Sequence, residues 1–257
     1  MELAFSRDGK YVAYVSFPEQ ILWRANRDGS DVVQLSQPSE RAAEPFWSPD
    51  GSRIVYEAVL PSGKGAVMTV PSQGGSPTTL LAEKGSGFND ANWSPDGKKL
   101  VYASWPDIEG RPWKVSDVNV RIYDLDRHQV SILPDSEGMF SARWSPDGRY
   151  IAATILPFEE LRLYDLHSQK WVPIAKSSAA YPAWSKDSRF IYAYCGEKFG
   201  ICRTPIAGGP VELVIDLKNV RQTGWWGFWF GLDPDDSALI LGDAGAYEIY
   251  SLTLERP

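Results

Sequence analysis

Glu44 and Asp90 are the residues of this chain best placed to do chemistry together. Each stands three residues before a tryptophan that opens the string Trp-Ser-Pro-Asp-Gly, at 47–51 and 93–97. The same count back from Phe5, which opens Phe-Ser-Arg-Asp-Gly, gives Glu2. From the later copies it gives Ser141, Tyr181 and Trp229. Three successive repeats therefore offer carboxylates at one repeated place, and Asn89 and Asn92 flank one of them. Hard oxygens of this kind suit Ca2+ or a cationic group where they converge. Where they do not, they face water or bond to neighbouring backbone. We take Glu44 and Asp90 as candidate metal ligands on this basis, with Ca2+ the one cofactor considered.

A second set of candidates is aromatic. The segment Trp105-Pro106-Asp107-Ile108-Glu109-Gly110-Arg111-Pro112-Trp113-Lys114 is the longest insertion between strand-like runs, and 224–230 reads Gly-Trp-Trp-Gly-Phe-Trp-Phe. Tryptophans beside Asp, Glu and Arg give a surface suited to a carbohydrate or peptide, because large rings add contact area at little entropic cost. Trp105, Arg111, Trp113, Tyr181, Trp226 and Trp229 join Glu44 and Asp90 as candidate ligand-binding residues. Packing of the last repeat against the first is the competing role for Trp225, Trp226 and Trp229. Trp105 and Trp113, in a polar loop, are expected to be exposed.

Other chemistries lack their parts. His128 and His167 fall in polar turns far from the candidate positions. There is no Gly-x-Ser-x-Gly elbow, zinc-ligand spacing or phosphate loop. Without a histidine or an activated nucleophile near the carboxylates, hydrolysis has no evident machinery. Asn92-Trp93-Ser94 is a glycosylation sequon by letter, but it lies in a strand expected to be buried.

The elements that hold these positions follow from the repeat. A third full copy of the string stands at 144–148, and degenerate copies stand at 5–9, 184–188 and 232–236. Their aligned aspartates are Asp8, Asp50, Asp96, Asp147, Asp187 and Asp235, separated by 42, 46, 51, 40 and 48 residues. Proline presets φ, aspartate accepts a backbone N–H, and glycine takes the left-handed position, so the string is a turn. An apolar run follows each copy, then an alternating run, a polar turn and a short fourth run. Four antiparallel strands every forty-odd residues make a propeller blade.

We therefore expect an all-β chain: one six-bladed β-propeller domain over 1–257, built of four-stranded antiparallel blades. The blades span about 1–36, 37–82, 83–134, 135–175, 176–217 and 218–257. The last blade lacks its outer strand, so an edge at Glu248–Leu254 is open to pairing with another chain. A closing strand just upstream of residue 1 is the expected remedy.

Composition narrows the function. The 257 residues carry 26 Lys and Arg against 33 Asp and Glu, a formal charge of −7. That argues against nucleic acid and anionic membrane surfaces, since phosphate binding needs a basic face. No apolar run reaches membrane-spanning length and no signal peptide stands at the start. Cys195 and Cys202 sit on neighbouring strands of one hairpin; a cross-strand disulfide requires the right register, and two buried free thiols are the expected state.

The repeats resemble the WD-like repeats of TolB-type propellers, in which Pro-x-Trp-Ser-Pro-Asp-Gly precedes an apolar strand. Glu44-Pro45-Phe46-Trp47-Ser48-Pro49-Asp50-Gly51 and Tyr181-Pro182-Ala183-Trp184-Ser185 carry the likeness. The stretch 224–237 with Glu248-Ile249-Tyr250-Ser251-Leu252 is similar to the C-terminal propellers of large bacterial regulators, common among acidobacteria, in which a winged-helix or kinase domain and a membrane span come first. The resemblance implies a non-enzymatic sensory or interaction module, periplasmic or otherwise extracytoplasmic, that binds a protein or small-molecule ligand at its channel face. The alternatives are a metal-dependent hydrolase of the propeller lactonase type, whose Glu/Asn/Asp set is comparable, and the gating propeller of a serine peptidase.

Overall fold

The computed structural model describes residues 3–83, 86–106, 114–157, 160–176, 179–221 and 229–242. Among the described residues twenty-two strands form five four-stranded antiparallel sheets and one two-stranded sheet. The first blade is β1 (Leu3–Phe5), β2 (Tyr11–Val15), β3 (Leu22–Asn26) and β4 (Val33–Gln34). The second is β5 (Arg41–Trp47), β6 (Arg53–Val59), β7 (Gly65–Pro71) and β8 (Thr78–Glu83). The third runs β9 (Ser86–Trp93), β10 (Lys99–Pro106), β11 (Asn119–Asp124) and β12 (Gln129–Ile132). The fourth runs β13 (Met139–Trp144), β14 (Tyr150–Ile155), β15 (Glu160–Asp165) and β16 (Lys170–Lys176). The fifth is β17 (Ala179–Trp184), β18 (Phe190–Cys195), β19 (Gly200–Pro205) and β20 (Glu212–Asp216). In each blade the strands pair in chain order, innermost first.

The expectation of six blades, the last with three strands, is corrected: five four-stranded blades are seen among the described residues. The sixth sector shows one hairpin, β21 (Phe230–Leu232) with β22 (Ala238–Ile240). Its motif is the most degenerate: Leu-Asp-Pro-Asp-Asp has neither the serine nor the glycine of the full string. The expected third strand and the edge at Glu248–Leu254 lie outside the described residues. No helix among the described residues is long and apolar enough to cross a membrane.

The motif turns are built alike in the five full blades. The serine hydroxyl donates to the aspartate at 2.6–2.8 Å in Ser6–Asp8, Ser48–Asp50, Ser94–Asp96, Ser145–Asp147 and Ser185–Asp187. The same serine oxygen accepts the backbone N–H that starts the next strand, at Tyr11, Arg53, Lys99, Tyr150 and Phe190. The aspartate also accepts the N–H two residues on, from Lys10, Ser52, Lys98, Arg149 and Arg189. These bonds satisfy backbone groups that a two-residue reversal leaves unpaired. In the sixth sector Asp233 stands where serine should be, and its own carboxylate accepts from Asp235 and Ser237.

The core lies in the seams between blades. Strand alternation sends Ile54 and Tyr56 toward the first blade, and Val55 toward the third. Val101 packs on Ile151, Ala152 on Ile191, and Tyr192 with Ile201 on Phe230. Because both faces of a blade are covered, its middle strands are apolar on both sides, as β6 shows with Ile54, Val55 and Tyr56 all fully buried. The motif tryptophans bolt the seams. Trp47 donates its indole N–H to Ala4 O at 2.9 Å, Trp93 to Phe46 O at 3.2 Å, and Trp184 to Arg143 O at 3.0 Å. Trp144 departs from this rule and reaches Gly148 O in its own turn at 3.4 Å.

The two-stranded sixth sector meets blades on both sides. The ring of Pro234 lies against Gly9, Arg27 pairs with Asp233 at 3.6 Å, and Lys186 N–H donates to Asp236 at 2.9 Å. Phe230 is buried against the fifth blade.

The cysteine expectation is also corrected. Cys195 and Cys202 form a disulfide, with Cα atoms 5.9 Å apart. The register places Cys195 opposite Gly200 and Cys202 opposite Ala193, so the two are diagonal neighbours on one face of the sheet. That separation is within reach of the bond.

Candidate functional site: the central channel

Each innermost strand of blades two to five carries a β-bulge, and the motif spacing fixes where. The ladder slips between Ala43 and Phe46 in β5, and between Phe140 and Arg143 in β13. It slips between Ala180 and Ala183 in β17, and in β9 it slips opposite Val101 and Ala103. The bulged residue takes a left-handed conformation in every case: Glu44 at φ 50°, Asp90 at 62°, Ser141 at 51° and Tyr181 at 54°. A non-glycine residue is rarely held there, and a bulge is a common way to re-aim a side chain. Four of the six positions picked from spacing alone are thus strained points on one ring.

The side chains on that ring bind each other across the seams. Asp90 Oδ2 accepts from Ser141 Oγ at 2.5 Å, and Asp90 Oδ1 accepts from Arg143 Nη2 in a salt bridge. The Asp90 side chain is only 3% exposed and that of Arg143 13%. Arg143 also donates to Ala142 O at 3.1 Å, and its guanidinium lies 4.6 Å from the centre of the Phe46 ring. Glu44 Oε2 accepts the Asp90 N–H at 2.5 Å, and Glu57 accepts the next N–H, of Ala91, at 3.2 Å. Asn89 accepts from Ser141 N–H at 2.9 Å. Asn92 donates to Ala142 O at 2.6 Å and accepts from Trp144 N–H at 3.3 Å.

This network changes the meaning of the acids. Asn89, Asp90 and Asn92 serve the seam between the third and fourth blades, where the indole bond of Trp144 is missing. The positive charge beside Asp90 is supplied by Arg143. Among the described residues no three His, Cys, Asp or Glu side chains converge closely enough to hold a metal ion. Arg143 is the residue that the sequence reading missed. Its signal was present: it stands directly before the motif tryptophan, where the other repeats have Ala4, Phe46, Asn92, Ala183 and Gly231.

The channel encloses a cavity of about 420 Å3, within the size range of small-molecule sites. Its walls have three tiers. The bulge tier holds Glu44, Asp90, Tyr181 and Trp229; the tier below holds Ala4, Phe46, Asn92, Arg143, Ala183 and Gly231. The lowest tier is the second position of the motif turns: Arg7, Pro49, Pro95, Pro146, Lys186 and Pro234. The middle tier is lopsided. Phe46, Asn92 and Arg143 crowd blades two to four, while alanine or glycine lines the other three sectors.

The remaining candidates scatter. Tyr181 is half-buried against the apolar seam toward the sixth sector. The ring of Trp229 covers Gly231. Trp105, expected to be exposed, packs edge-on against Phe140 at 5.6 Å and belongs to the seam with Val118 and Leu156. It opens an insertion but still sits on the last turn of β10, where strand alternation turns it inward. Arg111, Trp113 and Trp226 lie outside the described residues, as does Glu2. His128 accepts or donates at Nδ1 with Tyr123 Oη at 2.9 Å, away from the channel.

At the motif-turn end, electrostatics is local. The carboxyls of Asp8, Asp50 and Asp96 are held below the usual aspartate range, first by the serine hydroxyl and then by a backbone N–H. Asp187 is lowered to about 2, first by the Arg189 N–H and then by the Ser185 hydroxyl. Hydrogen bonds to the charged form cause each shift.

The chain's sequence matches no protein-family profile, and no curated protein is similar to it in sequence. Its structure does have likenesses. A protein assigned as TolB from Agrobacterium tumefaciens superposes with a TM-score of 0.71 at 22% identity, over 93% of this chain and 87% of that one. TolB from Acinetobacter baumannii gives 0.70 at 20%, over 92% of this chain; the match spans 64% of that longer protein. An oligogalacturonate lyase in complex with manganese gives 0.66 at 12%, over 91% and 70%. At these identities the likeness is one of fold, and the fold they share with this chain is the TolB-like β-propeller.

Proposed function

We propose that this chain is a non-enzymatic binding propeller whose central channel receives a ligand or a segment of a partner, as the sensory or interaction module of a larger bacterial regulator. One observation carries the reading. The channel is a preformed cavity of about 420 Å3 whose charged wall is already set: Arg143 is held by Asp90 and stacked on Phe46, and Asp90 is held by Ser141. Groups fixed in advance lose little freedom on binding, which favours recognition. The same bonds occupy the side chains that a reaction would need free. An extracytoplasmic location accords with the buried Cys195–Cys202 disulfide, since such bonds persist in oxidising compartments.

The test is a thermal-shift panel of oligosaccharides and short peptides, with Tyr181→Ala as the channel variant. A ligand that binds only the folded chain raises the midpoint by mass action. The reading predicts a shift that the variant loses. The same panel run with Ca2+ and Mn2+ addresses the metal-dependent hydrolase: a cation-dependent rise abolished in Glu44→Ala would favour the enzyme instead.

A further inference from the structure

We infer that the motif-turn mouth of the channel is an anion site, built by Arg7 and Lys186, and that the ligand is a small ring-bearing acid. The inference rests on the binding reading above and adds a ligand class to it. Proline fills the second turn position in four of the six motifs, at Pro49, Pro95, Pro146 and Pro234. It presets the turn and stabilises it through the unfolded chain. The two departures are both cations, and both line the cavity.

They also stand together. Pro234 lies between them: its ring touches Gly9, in the turn that carries Arg7, and its carbonyl oxygen is 3.4 Å from Lys186 Nζ. Arg7 has no ion-pair partner among the described residues, and Lys186 has only that carbonyl. Three of the acids around them make bonds of their own. Asp233 pairs with Arg27, Asp236 accepts from Lys186 N–H, and Asp8 is bound by Ser6 and faces Lys10 at 3.4 Å. In a chain of net charge −7, two uncommitted cations at a channel mouth are a local exception that draws anions.

The body of the ligand follows from the walls. The open side of the channel, where Ala4, Ala183 and Gly231 replace the bulk of Phe46, Asn92 and Arg143, belongs to blades one and five and the sixth sector. Those sectors also carry Arg7 and Lys186. Trp184 and Trp229, of the fifth blade and the sixth sector, line that side of the cavity, and aromatic side chains favour contact with a ring.

Isothermal titration at low ionic strength with D-glucuronate, D-glucose 6-phosphate and D-glucose tests this. The carboxylate and phosphate probes separate the two sources of anionic charge. At least one acid is expected to bind about tenfold more tightly than glucose, and Arg7→Gln or Lys186→Gln to weaken it about fivefold each, with loss of the preference in the double variant. Lys10→Gln, a charge already paired on the same face, serves as control and leaves affinity unchanged. Acids that bind no better than glucose, or that ignore both substitutions, overturn the inference. A neutral ligand bound through Tyr181 without preference for acids overturns it and leaves the binding reading standing. No heat with any probe, and no shift in the panel above, removes both.

Discussion

Arg143→Met is the perturbation that most directly probes the channel network. The substitution keeps an unbranched chain over the Phe46 ring and removes the guanidinium. Asp90 then keeps only the Ser141 hydroxyl on its side chain, at 2.5 Å, with a carboxylate that is 3% exposed. Breaking a buried pair from one side leaves an uncompensated charge, at a cost of about 3–5 kcal/mol. For a domain of this size each kcal/mol moves the midpoint by about 2–4 °C, so the loss is about 6–20 °C. Asp90→Asn/Arg143→Met should recover most of it, because no buried charge is left and the amide can still bond Ser141. The assay is urea and thermal unfolding followed by circular dichroism, with both singles and the double variant closing a cycle. A single-variant loss under about 1 kcal/mol would refute the reasoning, since that is the worth of a solvated surface pair. Channel water would then be screening Asp90, and the seam between blades three and four would rest on Asn89 and Asn92 instead.

Three other outcomes follow. Replacing Cys195 and Cys202 together by serine opens a short loop, with a sequence separation of 7, and should cost about 2.5 kcal/mol by the loop-entropy estimate; in the folded wild type the buried bond should resist reductant until unfolding begins. The motif aspartates should give an acid-labile fold. Asp8, Asp50, Asp96 and Asp187 have folded values below the ordinary one, so their contribution is fully present above about pH 4 and lost as pH falls toward 2; the midpoint measured from pH 5 to 2 should drop steadily, and less steeply in Asp187→Asn. Gly200→Ala would drive a Cβ into Ile215 O, so it should destabilise the β19–β20 pair; unchanged unfolding of that variant would show that β20 shifts freely.

Much of the architecture was readable because the turn chemistry repeats. Ser-Pro-Asp-Gly names every bonded atom of the reversal, and the strands on either side must then pair antiparallel. The places of the bulges were readable, three residues before the motif aromatic in blades two to five, but that they are bulges was not. Glu44, Asp90, Ser141 and Tyr181 were found by counting. What counting could not supply was the partner across a seam. Asp90 meets Arg143 because two bulged strands from different blades stand side by side, in a seam where Val101 packs with Ile151. No period in the sequence encodes that meeting. The disulfide was hidden for a similar reason. Cys195 and Cys202 are not opposite, and only the register that pairs Cys195 with Gly200 makes them diagonal neighbours.

The sixth sector shows how repeat and closure differ. A ring must close, and the five full blades cannot do so by motif chemistry alone. Here closure runs through Asp233-Pro234-Asp235-Asp236, the copy that has lost the serine and the glycine. Asp233 keeps bonds within the turn, from the N–H groups of Asp235 and Ser237, and the copy adds ties to its neighbours: Asp233 to Arg27, Asp236 to the Lys186 N–H, and the Pro234 ring against Gly9. Gly9 tolerates that contact because its own turn needs a left-handed residue, at φ 70°. Degeneracy in this copy therefore adds partners across the seams to those kept within the turn. Arg7 and Lys186 stand on either side of this sector, one in each blade it meets, so the sector that joins them also shapes the channel mouth.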